Sequence, residues 1–155
     1  MAEIKMSNVY YKIYYHIIWG TKNRLDLIDS SINIILNNSI RKKAKELKGE
    51  LISFNSYIDH CHSLLIIPPK ISISNFIGQL KGFSAHEVNK IKGSESIKWQ
   101  RGFGVLSLSK KGIAFVKNYI QNQQKHHKNN RLIDILEIIP STELEENQPK
   151  GKPLG

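Results

Sequence analysis

Asp59-His60-Cys61-His62 opens a run that continues Leu64-Leu65-Ile66-Ile67. The apolar run reads as a strand, and side chains in a strand alternate between its two faces. His60 and His62 therefore point the same way, roughly 7 Å apart along the chain, while Cys61 points away. Two imidazoles on one rigid face can share one metal ion. The spacing alone leaves a second reading open, in which both are ordinary hydrogen-bonded histidines; Cys61 reads as packing.

A second candidate is Tyr119-Ile120-Gln121-Asn122-Gln123. On a helix, positions i and i+4 share a face, so Tyr119 and Gln123 project together beside a stripe of Ile113, Val116 and Ile120. A polar pair therefore borders a buried seam, although a tyrosine beside an aliphatic stripe is more commonly the edge of a core. The His-x-His run is what gives this tyrosine its weight.

These residues need a frame. Val9 to Trp19 reads as strand one, with Tyr11, Ile13, Tyr15, Ile17 and Trp19 as one alternate set. Asp29 to Lys48 changes to a helical period, capped by Asp29 or Ser30, with Gly49 beyond its end. Leu51 to Tyr57 and His60 to Ile67 are paired strands, and Pro68-Pro69 ends the second. Ser72 or Ser74 caps a helix that Gly93 stops, Trp99 to Leu108 is a fourth strand, and Lys110 to Lys128 is a last helix after Ser109. The order is βαββαβ with an added C-terminal helix carrying the tyrosine, an α+β arrangement of the ferredoxin-like (RRM-like) kind with an antiparallel sheet. Residues 9–130 form one domain and 131–155 an extension, with a short apolar stretch from Leu132 to Ile139 and a Pro/Gly/Glu/Lys tail expected to be disordered.

Composition restricts the partners. Of 155 residues, 23 are Lys or Arg and 13 Asp or Glu, a formal charge of +10 that suits a polyanion, nucleic acid first and an anionic membrane surface second. No apolar run approaches the roughly 20 residues of a membrane span, so a cytoplasmic protein is expected. One cysteine excludes an internal disulfide and a thiolate zinc finger.

In order along the chain, Tyr15-His16-Ile17-Ile18-Trp19 with Thr21-Lys22-Asn23-Arg24, Asp59-His60-Cys61-His62 with Pro68-Pro69, Lys81-Gly82, Trp99-Gln100-Arg101-Gly102-Phe103-Gly104, Tyr119 to Gln123 and His126-His127 form one combination. It resembles the single-tyrosine HUH transposases of the smallest bacterial insertion sequences and their repeat-associated relatives. The resemblance implies that His60 and His62 hold a divalent metal, Mg²⁺ or Mn²⁺, that Gln123 completes the metal site, and that Tyr119 is the nucleophile. It implies cleavage and rejoining of single-stranded DNA ends, marked by small hairpins, through a 5′-phosphotyrosine link, and a homodimer whose active sites are shared between subunits. Ser63 replaces a usually apolar residue of the family and Phe103 a common tyrosine, and the chain beyond about Asn130 departs from the family pattern.

For DNA contact, Lys22, Arg24, Lys81, Arg101 and Lys125 can meet phosphates, and Tyr10, Tyr14, Trp19 and Phe83 can stack on unpaired bases. Two other functions use the same scaffold. One is a catalytically decayed or recruited single-stranded nucleic-acid-binding protein; the other is a metal-dependent nuclease that hydrolyses with water.

Overall fold

The computed structural model describes residues 5–6, 8–128 and 132–140. The disorder expected at the end of the chain concerns positions outside the described residues.

The first expected strand is two elements. Strand β1 (Lys5–Met6) and strand β2 (Val9–Tyr10) pair as a small separate ribbon, and strand β3 (Tyr14–Gly20) begins only after an interruption. The interruption resets the alternation. Tyr11 and Tyr14 enter one apolar cluster, whereas Tyr15, Ile17 and Trp19 face the other.

Asp29 caps helix α1 (Ser30–Glu46), its carboxylate accepting from the Ile32 amide at 2.8 Å. The chain leaves that helix through Lys48, which has φ 65°, so Lys48 and not Gly49 takes the left-handed position. Gly49 is needed for a different reason. A Cβ there would lie 2.6 Å from both the Ile66 carbonyl oxygen and the Phe76 ring. Strand β4 (Glu50–Ser56) follows and shifts register between Leu51 and Ser53, which lets Leu51 and Phe54, three residues apart, both enter the same cluster.

Strand β5 (His60–Ile66) and helix α2 (Ile73–Lys92) match expectation: Ser72 caps the helix onto Asn75, and Gly93, at φ 114°, ends it. Strand β6 (Gly104–Leu108) is shorter than expected, because Trp99 makes only an isolated bridge to Thr21. The expected last helix is broken. A 3₁₀ turn precedes helix α3 (Ile113–Gln121), and after Asn122 a separate helix α4 (Gln123–Lys128) begins.

The four-stranded sheet has the order β4-β5-β3-β6, with every pair antiparallel. This is the ferredoxin-like α+β architecture. Helices α1 and α2 cover one face, packing Leu36, Ile40 and Phe76 over Ile17, Trp19, Cys61 and Leu65. On the opposite face, α3 packs Val116, Tyr119 and Ile120 against Leu64 and Ile66. Because β5 alternates, its odd positions Cys61 and Leu65 enter the first cluster, and His60 and His62 share the face of Leu64 and Ile66 beneath α3. Residues 132–140 return over this second face as a strap, with Leu136 buried in its cluster.

Candidate metal and nucleophile centre

The two histidines that alternation places on one face are both buried, at 1% and 0% exposure. Each is oriented through its Nδ1. His60 Nδ1 donates to Asp59 Oδ1 at 2.7 Å, and the other oxygen of Asp59 accepts from Arg24 Nε at 3.1 Å. His62 Nδ1 lies 2.9 Å from His16 Nε2. Burial first and His62 second push the His16 imidazole down to about 3, so it is neutral and shares a single proton with its neighbour. With His62 as donor in that pair, Nε2 of both His60 and His62 is left to face the space under α3.

Glu137 of the strap fills that space. Its Oε2 lies 3.2 Å from His60 Nε2 and 3.2 Å from His62 Nε2, and its Oε1 accepts a 2.6 Å hydrogen bond from the Tyr119 hydroxyl. The Tyr119 oxygen in turn accepts from the Ile133 amide at 3.0 Å. Although the imidazole nitrogens are within ion-pair distance of the carboxylate, neither makes a directed hydrogen bond, so both are buried polar atoms without a partner. Three donors crowd one point.

The electrostatics agree with this geometry. Burial opposes charge on Glu137, but the His60 and His62 imidazoles that face its carboxylate outweigh it and hold the carboxyl far below the usual carboxylate range. Burial also lowers His60, yet Asp59 and Glu137 overcome it and raise the imidazole above its ordinary value. Nearly complete burial dominates at His62 and lowers it. Tyr119 is pushed up to about 12, by burial first and then by its bond to Glu137.

His60, His62 and Glu137 thus form a group able to hold a metal ion. Nitrogen and carboxylate donors, two of them orphaned and buried, suit a divalent cation, and Asp59 behind His60 supplies the carboxylate support usual for a ligating histidine. Gln123, expected as the third ligand, is buried at the start of α4, and its Oε1 lies 3.2 Å from His127 Nε2. His127 stacks on Tyr57 with centroids 3.9 Å apart, and His126 stacks on Tyr119 at 4.5 Å. Glu137 was missed because it lies beyond the recognisable motifs. Its one signal is a lone acid inside the apolar run Leu136-Glu137-Ile138-Ile139.

The expected DNA-contact residues are dispersed. Lys125 is exposed on α4, Arg101 is exposed before β6, and Lys22 and Arg24 lie in a 3₁₀ turn after β3, with Arg24 paired to Asp59. The Lys81 ammonium donates to the carbonyls of Gln100 and Gly102 at 2.7 and 2.8 Å, bracing the loop before β6. Of the aromatics expected to stack on bases, Trp19 and Tyr14 are core residues at 0% and 8% exposure and have no free face, whereas Tyr10 is exposed. Phe83 lies beneath the ammonium groups of Lys42 and Lys43.

No helix among the described residues is long and apolar enough to cross a membrane. In comparison with known proteins, residues 9–123 match the family described as "Transposase IS200 like". The transposase for insertion sequence element IS200 of Salmonella typhimurium is 28% identical over 132 residues, covering 81% of this chain and 86% of that one. The ISDra2 transposase TnpA of Deinococcus radiodurans is 28% identical over 130 residues, covering 78% and 91% respectively. A Deinococcus radiodurans R1 crystal structure described as a transposase superposes with a TM-score of 0.61 at 29% identity, over 77% of this chain and 96% of that one. A REP-associated tyrosine transposase bound to a REP hairpin shares the fold, with a TM-score of 0.57 at 18% identity over 85% of this chain and 76% of its own. With a family match across most of its length and the histidine-tyrosine centre on the sheet face beneath α3, the chain belongs to the IS200-like transposase family.

Proposed function

We propose that this transposase cleaves and rejoins single-stranded DNA ends of an insertion sequence through a 5′-phosphotyrosine intermediate at Tyr119. The observation that carries this reading is the meeting of the Tyr119 hydroxyl with His60 and His62 around a single carboxylate. A divalent ion, Mg²⁺ or Mn²⁺, bound by the two imidazoles would polarise the scissile phosphate and stabilise its developing charge. Gln123, one helical turn from Tyr119, is the third ligand implied by the family resemblance.

The chain's own residues do the rest. The phenolic oxygen attacks phosphorus and the bond to the 3′ oxygen breaks. The phenol loses a proton and the departing oxygen gains one, leaving a free 3′-OH that can reverse the step on another end. Asp59 and His16 fix the imidazoles, while Ile133 and Glu137 fix the phenol. Residues 9–130 are taken as the catalytic domain, and 131–155 as its extension. Lys22, Arg24, Lys81, Arg101 and Lys125 are the candidate phosphate contacts, and two carbonyls hold the Lys81 ammonium.

Hairpin-bearing ends are the proposed substrate, supported by the hairpin bound to the REP-associated fold relative. A homodimer with shared sites would require α3 to exchange between subunits, because the Tyr119 ring already meets the His62 ring edge-on, with centroids 6.0 Å apart, within one chain. The alternative, a DNA binder without chemistry, draws support from the 2% exposure of Tyr119. The two are separated by incubating wild type and Tyr119→Phe with labelled single-stranded element ends and Mn²⁺. A covalent adduct with wild type alone supports transposition; an adduct that persists in the Phe variant, or never forms with wild type, overturns it.

A further inference from the structure

We propose that Glu137, carried by the strap, is the third protein ligand of the divalent ion held by His60 and His62, in the position the family resemblance gives to Gln123. The inference rests on the metal-dependent reading above and names a residue outside the matched segment 9–123.

Donor geometry is the first support. Ligands bonded at about 2.0–2.2 Å to one ion lie about 3.0–3.5 Å from each other at neighbouring positions. Glu137 Oε2 is 3.2 Å from each imidazole Nε2. Ligation through Oε2 alone leaves Oε1 to accept from Tyr119, so one carboxylate ties the nucleophile to the cation.

Gln123 is placed differently. The only amide atom able to ligate a cation is its oxygen, and Oε1 is engaged with His127 at 3.2 Å while Nε2 has no partner. Gln123 borders the tyrosine with its oxygen turned toward His127.

Glu137 is also held there by a docked segment. Leu136 is buried beside it, Ile133 bonds the Tyr119 oxygen, and Gln100 Nε2 donates to the Pro140 carbonyl at 3.2 Å. Gly104 of β6 admits the strap, since a Cβ there would collide with the Ile138 carbonyl oxygen. Ile135 and Ile138 then line, with His16, Ile18 and Leu106, a small cavity between strap and sheet.

The test is a Mn²⁺ titration without DNA, read by loss of the free-ion electron paramagnetic resonance signal, on wild type, Glu137→Gln and Gln123→Ala. Glu137→Gln keeps the side-chain shape, and circular dichroism confirms that each variant is folded. At least about tenfold weaker binding in Glu137→Gln, with Gln123→Ala within about twofold of wild type, is expected. Mn²⁺ should also slow amide hydrogen exchange at Leu136 and Glu137 in wild type and not in Glu137→Gln. Loss confined to Gln123→Ala, equal loss in both variants, or no binding by wild type overturns the inference. Because no DNA is present, Glu137-dependent binding in a chain that never forms a Tyr119 adduct would remove the strand-transfer reading and leave this one intact.

Discussion

The Tyr119 hydroxyl is held from both sides by one short segment, donating to Glu137 at 2.6 Å and accepting from the Ile133 amide at 3.0 Å. A phenol so bound and buried gives up its proton late. In the metal-free protein, the difference between ultraviolet pH titrations of wild type and Tyr119→Phe should show one tyrosine ionising near 12, against about 10 for a free phenol. Since the folded value is raised, the stability that Tyr119 contributes is complete below about pH 10 and is lost as pH climbs through 12. Glu137→Ala should move the titration downward, though not to the free value, because burial is the larger cause. A transition that does not move would show that the strap has no part in it.

Asp59 acts through His60. Its carboxylate bonds Nδ1 at 2.7 Å, which fixes the ring and directs Nε2 inward. Asp59→Asn should therefore weaken Mn²⁺ binding about 10–100-fold, with a smaller effect on melting temperature. The matching control is Arg24→Ala, which removes the partner of the other Asp59 oxygen and should weaken binding less. Isothermal titration calorimetry of both variants measures the difference.

At the turn into β4, two adjacent residues should respond in opposite ways. Gly49→Ala forces a methyl against the Ile66 carbonyl and the Phe76 ring, and should cost about 1–3 kcal/mol in chemical denaturation. Lys48→Gly relieves a left-handed backbone with φ 65° and should gain roughly 1 kcal/mol. If Gly49→Ala were neutral, the close approach of helix α2 to this turn would be wrong.

Local rules carried the sequence far at some residues and stopped at others. Strand alternation is a rigid period of two, so the shared face of His60 and His62 could be read directly. Capping at Asp29 and Ser72 likewise depends on neighbours three residues away. The break at Asn122 was hidden because Tyr119 and Gln123 stay adjacent across it, leaving the helical pattern apparently continuous. Trp19 and Tyr14 looked available for base stacking because aromatic type does not reveal which face is covered. Lys81 is the same case for charge: its carbonyl partners lie about a helix and a loop away. Glu137 was least legible, since its position depends on a chain return that no local period encodes.

The match to the family ends at residue 123, and a gene trimmed to that boundary would lose more than an unrecognised tail. Without Leu136 and its neighbours, the aliphatic side chains around Leu64, Ile66 and Val116 would meet water on one side. A shortened protein would then be expected to clump or require detergent, and its poor behaviour could be mistaken for a failure of the domain itself.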